Sequence, residues 1–239
     1  MLEGHFDTSN RIISRFNYCD VRIQDGFVVK AYDPKVRKED YHHEYYMNEQ
    51  IAALKSNLFI VCANYCDTKF SLWFPLNPWP TLEEVDVAKL EFRAEIWSGL
   101  LSALQMLHQI RICHNDLYPG NVIVLNIPPY VKLIDFGESN EFTFPVDFSP
   151  WIYRNPSMPV CKTHPLNDFW GLAILYFILQ PALSGSIFNI SNEIKRSLHY
   201  LSLAELLLMY PKIDFAAEML QALHGDFTPL VSKFWNFEL

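Results

Sequence analysis

The chain has 239 residues and a formal net charge of −8, from 19 Lys and Arg against 27 Asp and Glu. Hydrophobic residues make up 50% and charged residues 19%, so the chain can bury a sizeable core, and disorder is excluded as its main state. An acidic chain without a Lys/Arg run lacks the electrostatic footprint of a protein that binds nucleic acid or an anionic membrane. The longest apolar run, residues 169–179, is too short to span a bilayer, which needs roughly 20 residues. We therefore expect no nucleic-acid partner and no membrane insertion.

The first third of the chain predicts strands and one helix. Two β-rich runs, residues 21–24 and 27–30, flank Asp25-Gly26, and this dipeptide predicts a tight hairpin because the turn needs positive φ. A strand over 11–16 precedes the hairpin. A helix is predicted over 39–55, and two further strands over 58–63 and 70–74. Prolines at 75, 78 and 80 then mark a lobe boundary.

The rest of the chain is predicted to be mainly helical. A capping box at residues 81–84 predicts a helix start, and apolar spacing predicts a long amphipathic helix over 89–110. Short strands follow at 122–125 and 131–134, and residues 167–179 read as a buried helix. Two more helices are predicted, one from Ser202 and one ending at His224. We expect one domain over 1–239, with a small β-rich lobe at about 1–75 and a helical lobe at about 80–239.

Polar clusters follow one another in an order that suits phosphoryl transfer. Lys30 ends a predicted strand, and Glu49 lies 19 residues later in the predicted helix. Asp116 precedes Asn121 by five residues, and Asp135 ends another predicted strand. A lysine can neutralise phosphate oxygens, a glutamate can hold it in place, and carboxylate and amide oxygens are ligands for a hard cation. Asp116 can accept the proton of an attacking hydroxyl, in a reaction that depends mostly on positioning and charge neutralisation.

These motifs resemble those of the protein kinase family, over about residues 21–168. Lys30 stands where the strand lysine of the family sits, and Glu49 matches its helix partner. The segment HNDLYPGN at 114–121 is similar to the catalytic loop, and DFG at 135–137 is similar to the metal-binding triplet. Residues 153–156 look like a worn end of the activation loop. Asp168 matches an aspartate that hydrogen-bonds the catalytic-loop backbone in the family, where the His114 ring would pack against Phe136.

The resemblance implies an α+β, two-lobed protein kinase-like fold and an ATP- and Mg²⁺-dependent phosphotransferase acting on Ser/Thr hydroxyls of proteins. Under it, Asp116 deprotonates the hydroxyl, Lys30 binds phosphates, Glu49 holds Lys30, and Asn121 and Asp135 bind Mg²⁺. ATP would lie between the lobes, with its adenine near residues 73–77. The other expected ATP contacts are Ser14, Asn17, Val28 and Ile123. We expect a protein substrate or partner and a monomer. Five dispersed cysteines, an odd number, and no secretory leader predict reduced thiols in an intracellular, cytoplasmic protein.

Three departures from the family pattern keep other functions open. The glycine-rich phosphate loop is missing, so the side chains of Ser14 and Asn17 would have to replace it. Asn115 replaces an arginine that in many relatives receives an activation-loop phosphate, so activation by that route is not expected. Tyr118 replaces a lysine that contacts the transferring phosphate, which should slow transfer.

Two alternatives to an active protein kinase follow. The missing loop and Tyr118 favour a pseudokinase, a binding or scaffolding module that keeps the fold without turnover. The residues DLYPGN at 116–121 of the catalytic loop resemble those of small-molecule kinases such as aminoglycoside or choline kinases, and so favour that alternative. The DFG triplet and Asp168 oppose it.

Overall fold

The computed structural model describes residues 11–15, 19–35, 37–142 and 165–179, and the single residues 217, 218, 221 and 229. Its elements form a strand-rich first part followed by a helical second part, in agreement with the α+β prediction. In chain order they are β1 (Arg11–Arg15), β2 (Cys19–Gln24), β3 (Phe27–Tyr32), α1 (Lys38–Ala52), β4 (Asn64–Cys66), β5 (Ser71–Pro75), α2 (Arg93–Gln109), β6 (Ile112–Cys113), β7 (Val122–Val124), β8 (Val131–Leu133), β9 (Asn140–Glu141) and α3 (Pro165–Ile178). Short 3-10 turns lie at Val87–Lys89 and Pro119–Asn121.

The first part is an antiparallel sheet in the order β1-β2-β3-β5-β4. The predicted hairpin between β2 and β3 is confirmed: Asp25 and Gly26 have φ of 51° and 77°, the positive values that this two-residue turn needs. The register places Val21 opposite Lys30 and Cys19 opposite Tyr32. Because side chains alternate along a strand, Lys30 and Tyr32 project from the same face of β3.

Helix α1 packs against this sheet and buries residues at three- to four-residue spacing, namely Tyr41, Glu44, Met47, Asn48 and Ile51. Two of the five are polar, and both are hydrogen-bonded. The Asn48 amide donates to the Glu44 carbonyl at 2.8 Å and accepts from Cys62 N at 2.9 Å, so it ties α1 to the following segment. The predicted helix is confirmed, with bounds three residues shorter at its end than expected.

The strand predicted over 58–63 does not form as such, and the strand of this region is β4, further along. Leu58 accepts from Leu133 N at 2.8 Å, and Ile60 donates to the Leu133 carbonyl at 3.0 Å. Ala63 donates to Trp73 O at 2.8 Å. The backbone of this segment therefore connects β8 to the sheet instead of continuing one ladder.

The capping box at 81–84 forms half of its contacts without starting an α-helix. Thr81 N and Oγ1 both donate to Glu84 Oε2, at 2.8 and 3.1 Å. Thr81 also forms an isolated antiparallel β-bridge with Ile123, and Leu82 N donates to the Val122 carbonyl at 2.7 Å. After this bridge to β7 residues 82–84 form a turn, and the α-helix begins only at Arg93.

The second part has its core between α2, α3 and the β7-β8 hairpin. The apolar face of α2 is buried, and α3 is buried on nearly all sides, which confirms its sequence prediction. Trp170, Leu175 and Leu104 are among the least exposed side chains. In the described part of the chain no helix combines the length and the apolar character needed to cross a membrane.

Several sequence predictions lie outside the described residues. They are the worn activation-loop motif at 153–156, the helix starting at Ser202, most of the helix ending at His224, and Asn17. The lobe boundary at the prolines and the extent of the single domain stay predictions.

Candidate active site

Lys30 lies at the centre of the polar residues on the sheet side of the site. Its Nζ is 2.8 Å from Glu44 Oε1 and 2.6 Å from Asp135 Oδ1. The two carboxylates come from different places, one from α1 and one from the segment after β8. A single half-buried ammonium therefore joins the sheet, the helix and the DFG triplet.

The predicted partner of Lys30, Glu49, was the wrong residue. Glu49 is exposed on α1, whereas Glu44 is buried and makes the ion pair. Five residues along an α-helix correspond to about 140° around its axis, so the two glutamates cannot share a face. Glu44 had a sequence signal that was missed: it lies three residues after Tyr41 and seven before Ile51, on the apolar face. A carboxylate on that face requires a buried partner.

The catalytic-loop segment brings Asp116 and Asn121 together. Asn121 Nδ2 donates to Asp116 Oδ2 at 3.0 Å and to the Asp116 carbonyl at 2.9 Å. This commits the amide nitrogen and leaves the amide oxygen as the atom that could ligate a cation. Asn121 also connects to the DFG segment, because its carbonyl accepts from Ile134 N at 3.1 Å. The loop and Asp135 are thus adjacent.

Asp168 fixes the backbone of this loop from the first turn of α3. Its Oδ1 accepts from Asn115 N at 2.8 Å, and its Oδ2 accepts from His114 N at 2.9 Å and contacts His108 Nε2 at 2.8 Å. The carboxylate is fully buried. The hydrogen bonds that the family resemblance implied for Asp168 are therefore present.

His108, Cys113 and Asp168 place ligand-type atoms within 4.8 Å of one another. A metal would need the Cys113 thiolate, but burial raises the pKa of that thiol far above its usual value. Both oxygens of Asp168 are also already committed to hydrogen bonds. This cluster is structural.

The DFG triplet is held between the two parts of the chain. Asp135 has a φ of 64°, a left-handed conformation that short polar residues such as Asp tolerate. The buried Phe136 ring packs edge-on against Phe59 at 6.0 Å and lies 5.3 Å from the His114 ring, as the sequence predicted for His114. A Cβ on Gly137 would lie 3.2 Å from Glu44 Oε2, a tight contact that would require this carboxylate to shift by a few tenths of an ångström.

The charges of the three ionisable groups depend on one another. Burial works to lower the pKa of Lys30, but the charges of Asp135 and Glu44 outweigh it and raise that pKa, so the ammonium stays charged. Burial raises the pKa of Glu44, against the effect of Lys30. For Asp135, burial opposes ionisation, but the charge and hydrogen bond of Lys30 hold its pKa below the usual value. The ionised Asp135 and Lys30 suit a site for phosphate and cation.

The two residues that replace family positions in the loop both have defined surroundings. Asn115 is buried with a φ of 62°, a conformation that asparagine adopts readily, and its amide donates to the Glu138 carbonyl at 3.0 Å. Tyr118 packs against Gly120, where an added Cβ would lie 2.5 Å from Tyr118 Cε2. Burial, followed by the charges of Asp116 and Asp135, raises the pKa of Tyr118 to about 12, so its hydroxyl is a neutral donor at pH 7.

The other predicted nucleotide contacts have different outcomes. Val28 is half-buried on β3 and pairs with Phe74, and Ile123 is buried on β7. Ser14 lies in β1 opposite Val21, which places its backbone in the sheet. Their roles in binding ATP stay predictions.

The residues that would hold Mg²⁺ have the right chemistry. Asp135 and Asn121 supply carboxylate and amide oxygens, the donors that a hard cation prefers. The Asp135 side chain is 41% exposed, so a ligand can reach it. Its pKa lies below the usual value, so the carboxylate is ionised as ligation requires.

Comparison with known proteins agrees with this geometry. Death-associated protein kinase 2 of Homo sapiens is 35% identical over 96 residues, covering 36% of this chain and 25% of the relative. Serine/threonine-protein kinase nekl-2 of Caenorhabditis elegans is 34% identical over 94 residues, covering 36% of this chain and 26% of the relative. Serine/threonine-protein kinase ULK3 of Homo sapiens is 34% identical over 113 residues, covering 41% of this chain and 23% of the relative. The matches therefore span about a quarter of the length of these relatives.

The family model described as "Protein kinase domain" matches residues 18–237, which is most of the chain. That match includes the lysine on β3, the loop with Asp116 and Asn121, the DFG triplet and the aspartate at the start of α3. With a strand-rich first part, a helical second part and these side chains gathered at one site, the chain belongs to the protein kinase family.

Proposed function

We propose that this chain is an ATP- and Mg²⁺-dependent protein kinase that phosphorylates Ser or Thr hydroxyls of proteins. The observation that carries the proposal is the shared position of Lys30, which forms ion pairs with both Glu44 and Asp135 next to the loop of Asp116. The similarity to Ser/Thr protein kinases supports the hydroxyl as acceptor.

The side chains of the site have defined tasks in the proposed reaction. Lys30 neutralises phosphate oxygens of ATP, and Glu44 holds the ammonium in place. Asp116 orients the substrate hydroxyl and accepts its proton while the hydroxyl oxygen bonds to the γ-phosphorus and the bond to ADP breaks. Asn121 holds Asp116 through two hydrogen bonds, so the position of this base is fixed by the loop.

Asp135 and Asn121 would hold Mg²⁺ through their side-chain oxygens. When bound, the ion neutralises the charge of the ATP phosphates. Lys30 then keeps Asp135 ionised, since it lowers the pKa of that carboxyl.

Turnover of radiolabelled ATP tests the proposal directly. With Mg²⁺ and a generic protein substrate, label should appear on Ser or Thr of the substrate. If Mg²⁺-ATP binds but no label is transferred, the pseudokinase alternative is correct. If label appears on aminoglycoside or choline and not on protein, the substrate class is wrong.

We expect Mg²⁺-ATP to stabilise the folded chain. At ATP about ten times above its Kd, the gain is about 1.4 kcal/mol, or a rise in Tm of roughly 3–6 °C by differential scanning fluorimetry. In the Asp135→Ala variant the Mg²⁺-dependent part of the shift should vanish, because that variant lacks the ionised carboxylate ligand.

The matched control is Asp40→Ala, which removes a largely exposed carboxylate on α1 that pairs with Arg37 at 3.1 Å. It should keep the full Mg²⁺-dependent shift. An unchanged shift in Asp135→Ala would place the metal site elsewhere, and no shift in the wild type at millimolar ATP would contradict nucleotide binding.

The observation that favours a pseudokinase is the replacement of a loop lysine by Tyr118. A neutral phenol at this position, with a pKa of about 12, cannot neutralise the transferring phosphate. If the chain is a slow kinase, Tyr118→Lys should raise kcat by about tenfold, since a charged donor forms a stronger hydrogen bond to phosphate than a neutral one. Tyr118→Phe should not raise kcat, because it adds no charge, and steady-state ATP turnover of both variants measures the difference.

A further inference from the structure

A second side chain on β3 contacts the carboxylate that holds Lys30. Lys30 Nζ lies 2.8 Å from Glu44 Oε1, and the Tyr32 hydroxyl donates a hydrogen bond to Glu44 Oε2. Lys30 and Tyr32 are two residues apart and so lie on one face of the strand. Each oxygen of Glu44 therefore has its own donor from β3.

The Tyr32 hydroxyl is held at a fixed position. The side chain is buried, its ring packs edge-on against Tyr41 with centroids 6.1 Å apart, and its backbone N donates to Phe70 O at 2.9 Å. Burial and the neighbouring Glu44 raise the pKa of Tyr32 well above its usual value, so the hydroxyl keeps the proton that it donates.

Glu44 needs this donor because of its surroundings. It is 1% exposed, and a buried carboxylate is costly unless its lone pairs are satisfied. Lys30 alone is an incomplete partner, because the same ammonium is 2.6 Å from Asp135. When Glu44 loses its second donor, we expect the ammonium to move toward Asp135 and away from α1.

We infer that Tyr32 is a positioning residue for the phosphate-binding lysine: its hydroxyl holds Glu44, and Glu44 in turn holds Lys30 between itself and Asp135. This inference rests on the proposed function, since Lys30 has a phosphate to bind only if the chain binds ATP. Tyr32 itself does not touch the reacting atoms.

Replacing Tyr32 with Phe tests the inference. We expect the KM for ATP to rise about three- to tenfold, the size of one ordinary hydrogen bond, while the KM for the protein substrate stays unchanged. A variant that is merely less stable has fewer active molecules, which lowers kcat and leaves the KM for ATP as it was. Steady-state kinetics over an ATP series separates the two.

Tyr41→Phe is the matched control. Tyr41 is also fully buried and also donates to a carboxylate, Asp67 Oδ1 at 2.8 Å, but that carboxylate is exposed and does not belong to the site. Its KM for ATP should equal that of the wild type. The inference is overturned if Tyr32→Phe changes this KM less than twofold, or if Tyr41→Phe raises it equally.

A double-mutant cycle tests the contact without nucleotide. In urea unfolding, Tyr32→Phe should raise the unfolding equilibrium constant about fivefold in the wild-type background. In the Glu44→Leu background, which lacks the acceptor, it should raise this constant less than twofold. Equal effects in both backgrounds would overturn the contact. If the wild type does not bind ATP, the proposed function and the positioning role fail together. If it binds ATP and Tyr32→Phe has no effect on the KM, the positioning role alone fails.

Discussion

Replacing Asp116 with Asn is expected to lower kcat by about 10²- to 10⁴-fold, the usual contribution of a positioned general base. The amide cannot accept the hydroxyl proton, whereas its size keeps the loop packed. Asn121 donates to the Asp116 backbone carbonyl as well as to its side chain, so the loop keeps one of these two hydrogen bonds in the variant. The measurement is initial-rate transfer of radiolabelled phosphate from ATP to a generic protein substrate.

ATP affinity separates this effect from unfolding. The Asp116→Asn variant should show the same Mg²⁺-ATP shift in Tm as the wild type, because Lys30 and Asp135 are unchanged. A kcat within threefold of the wild type would remove Asp116 from the proposed base position. A lost Tm shift would indicate that Asp116 binds nucleotide instead.

The largest effect on stability is expected from Asp168→Ala, at about 3–5 kcal/mol. The side chain is fully buried and accepts from the backbone N of His114 and of Asn115, besides contacting His108. Removing it leaves two buried N–H groups without an acceptor, each costing about 1–3 kcal/mol, and strands a histidine next to them. Equilibrium unfolding in urea, followed by circular dichroism, measures the loss.

Asp86→Ala is the control for this variant, because Asp86 performs the same task at the surface. It accepts from Ala88 N at 3.2 Å and pairs with Lys89 at 2.9 Å, with both side chains largely exposed. Water replaces both contacts, so the cost should stay below about 1 kcal/mol. Equal costs for the two variants would show that Asp168 does not anchor the loop.

The residue types of the candidate site could be predicted well because they lie at element ends and in short motifs. Asp116 and Asn121 in a loop after a helix and Asp135 after a strand appear where the sequence placed them, whereas Lys30 lies within β3, which continues to Tyr32. Their proximity depends on contacts between residues distant in sequence, such as the hydrogen bonds of Ile134 to Asn121 and of His114 to Ile134, and the ion pair of Lys30 with Asp135. The positions of these residues were therefore predictable from motifs, but their assembly depends on long-range contacts, among them the pairing of β3 with α1.

That pairing is where sequence reasoning failed. The residue type alone does not distinguish Glu44 from Glu49, since both are glutamates on one helix. The packing of α1 against the sheet decides that Glu44 is the one that meets Lys30. Tyr32 was missed for a related reason: a tyrosine on a strand reads as apolar packing, and its hydroxyl gains meaning only when α1 brings a carboxylate to it.

The sequence by itself determined the Asp25-Gly26 hairpin, the buried character of α3 and the order of the motifs. Those features depend on the φ preferences of a few residues and on apolar spacing within one segment. Only the tertiary structure decided that residues 58–63 bond to β8 and β5, that Thr81 and Leu82 bond to β7 instead of starting an α-helix, and that Lys30 binds Glu44. In each case the backbone or the charged side chain binds a partner that is distant in sequence, in place of the contact predicted from neighbouring residues. The periodicity of a single segment contains no information about such a partner.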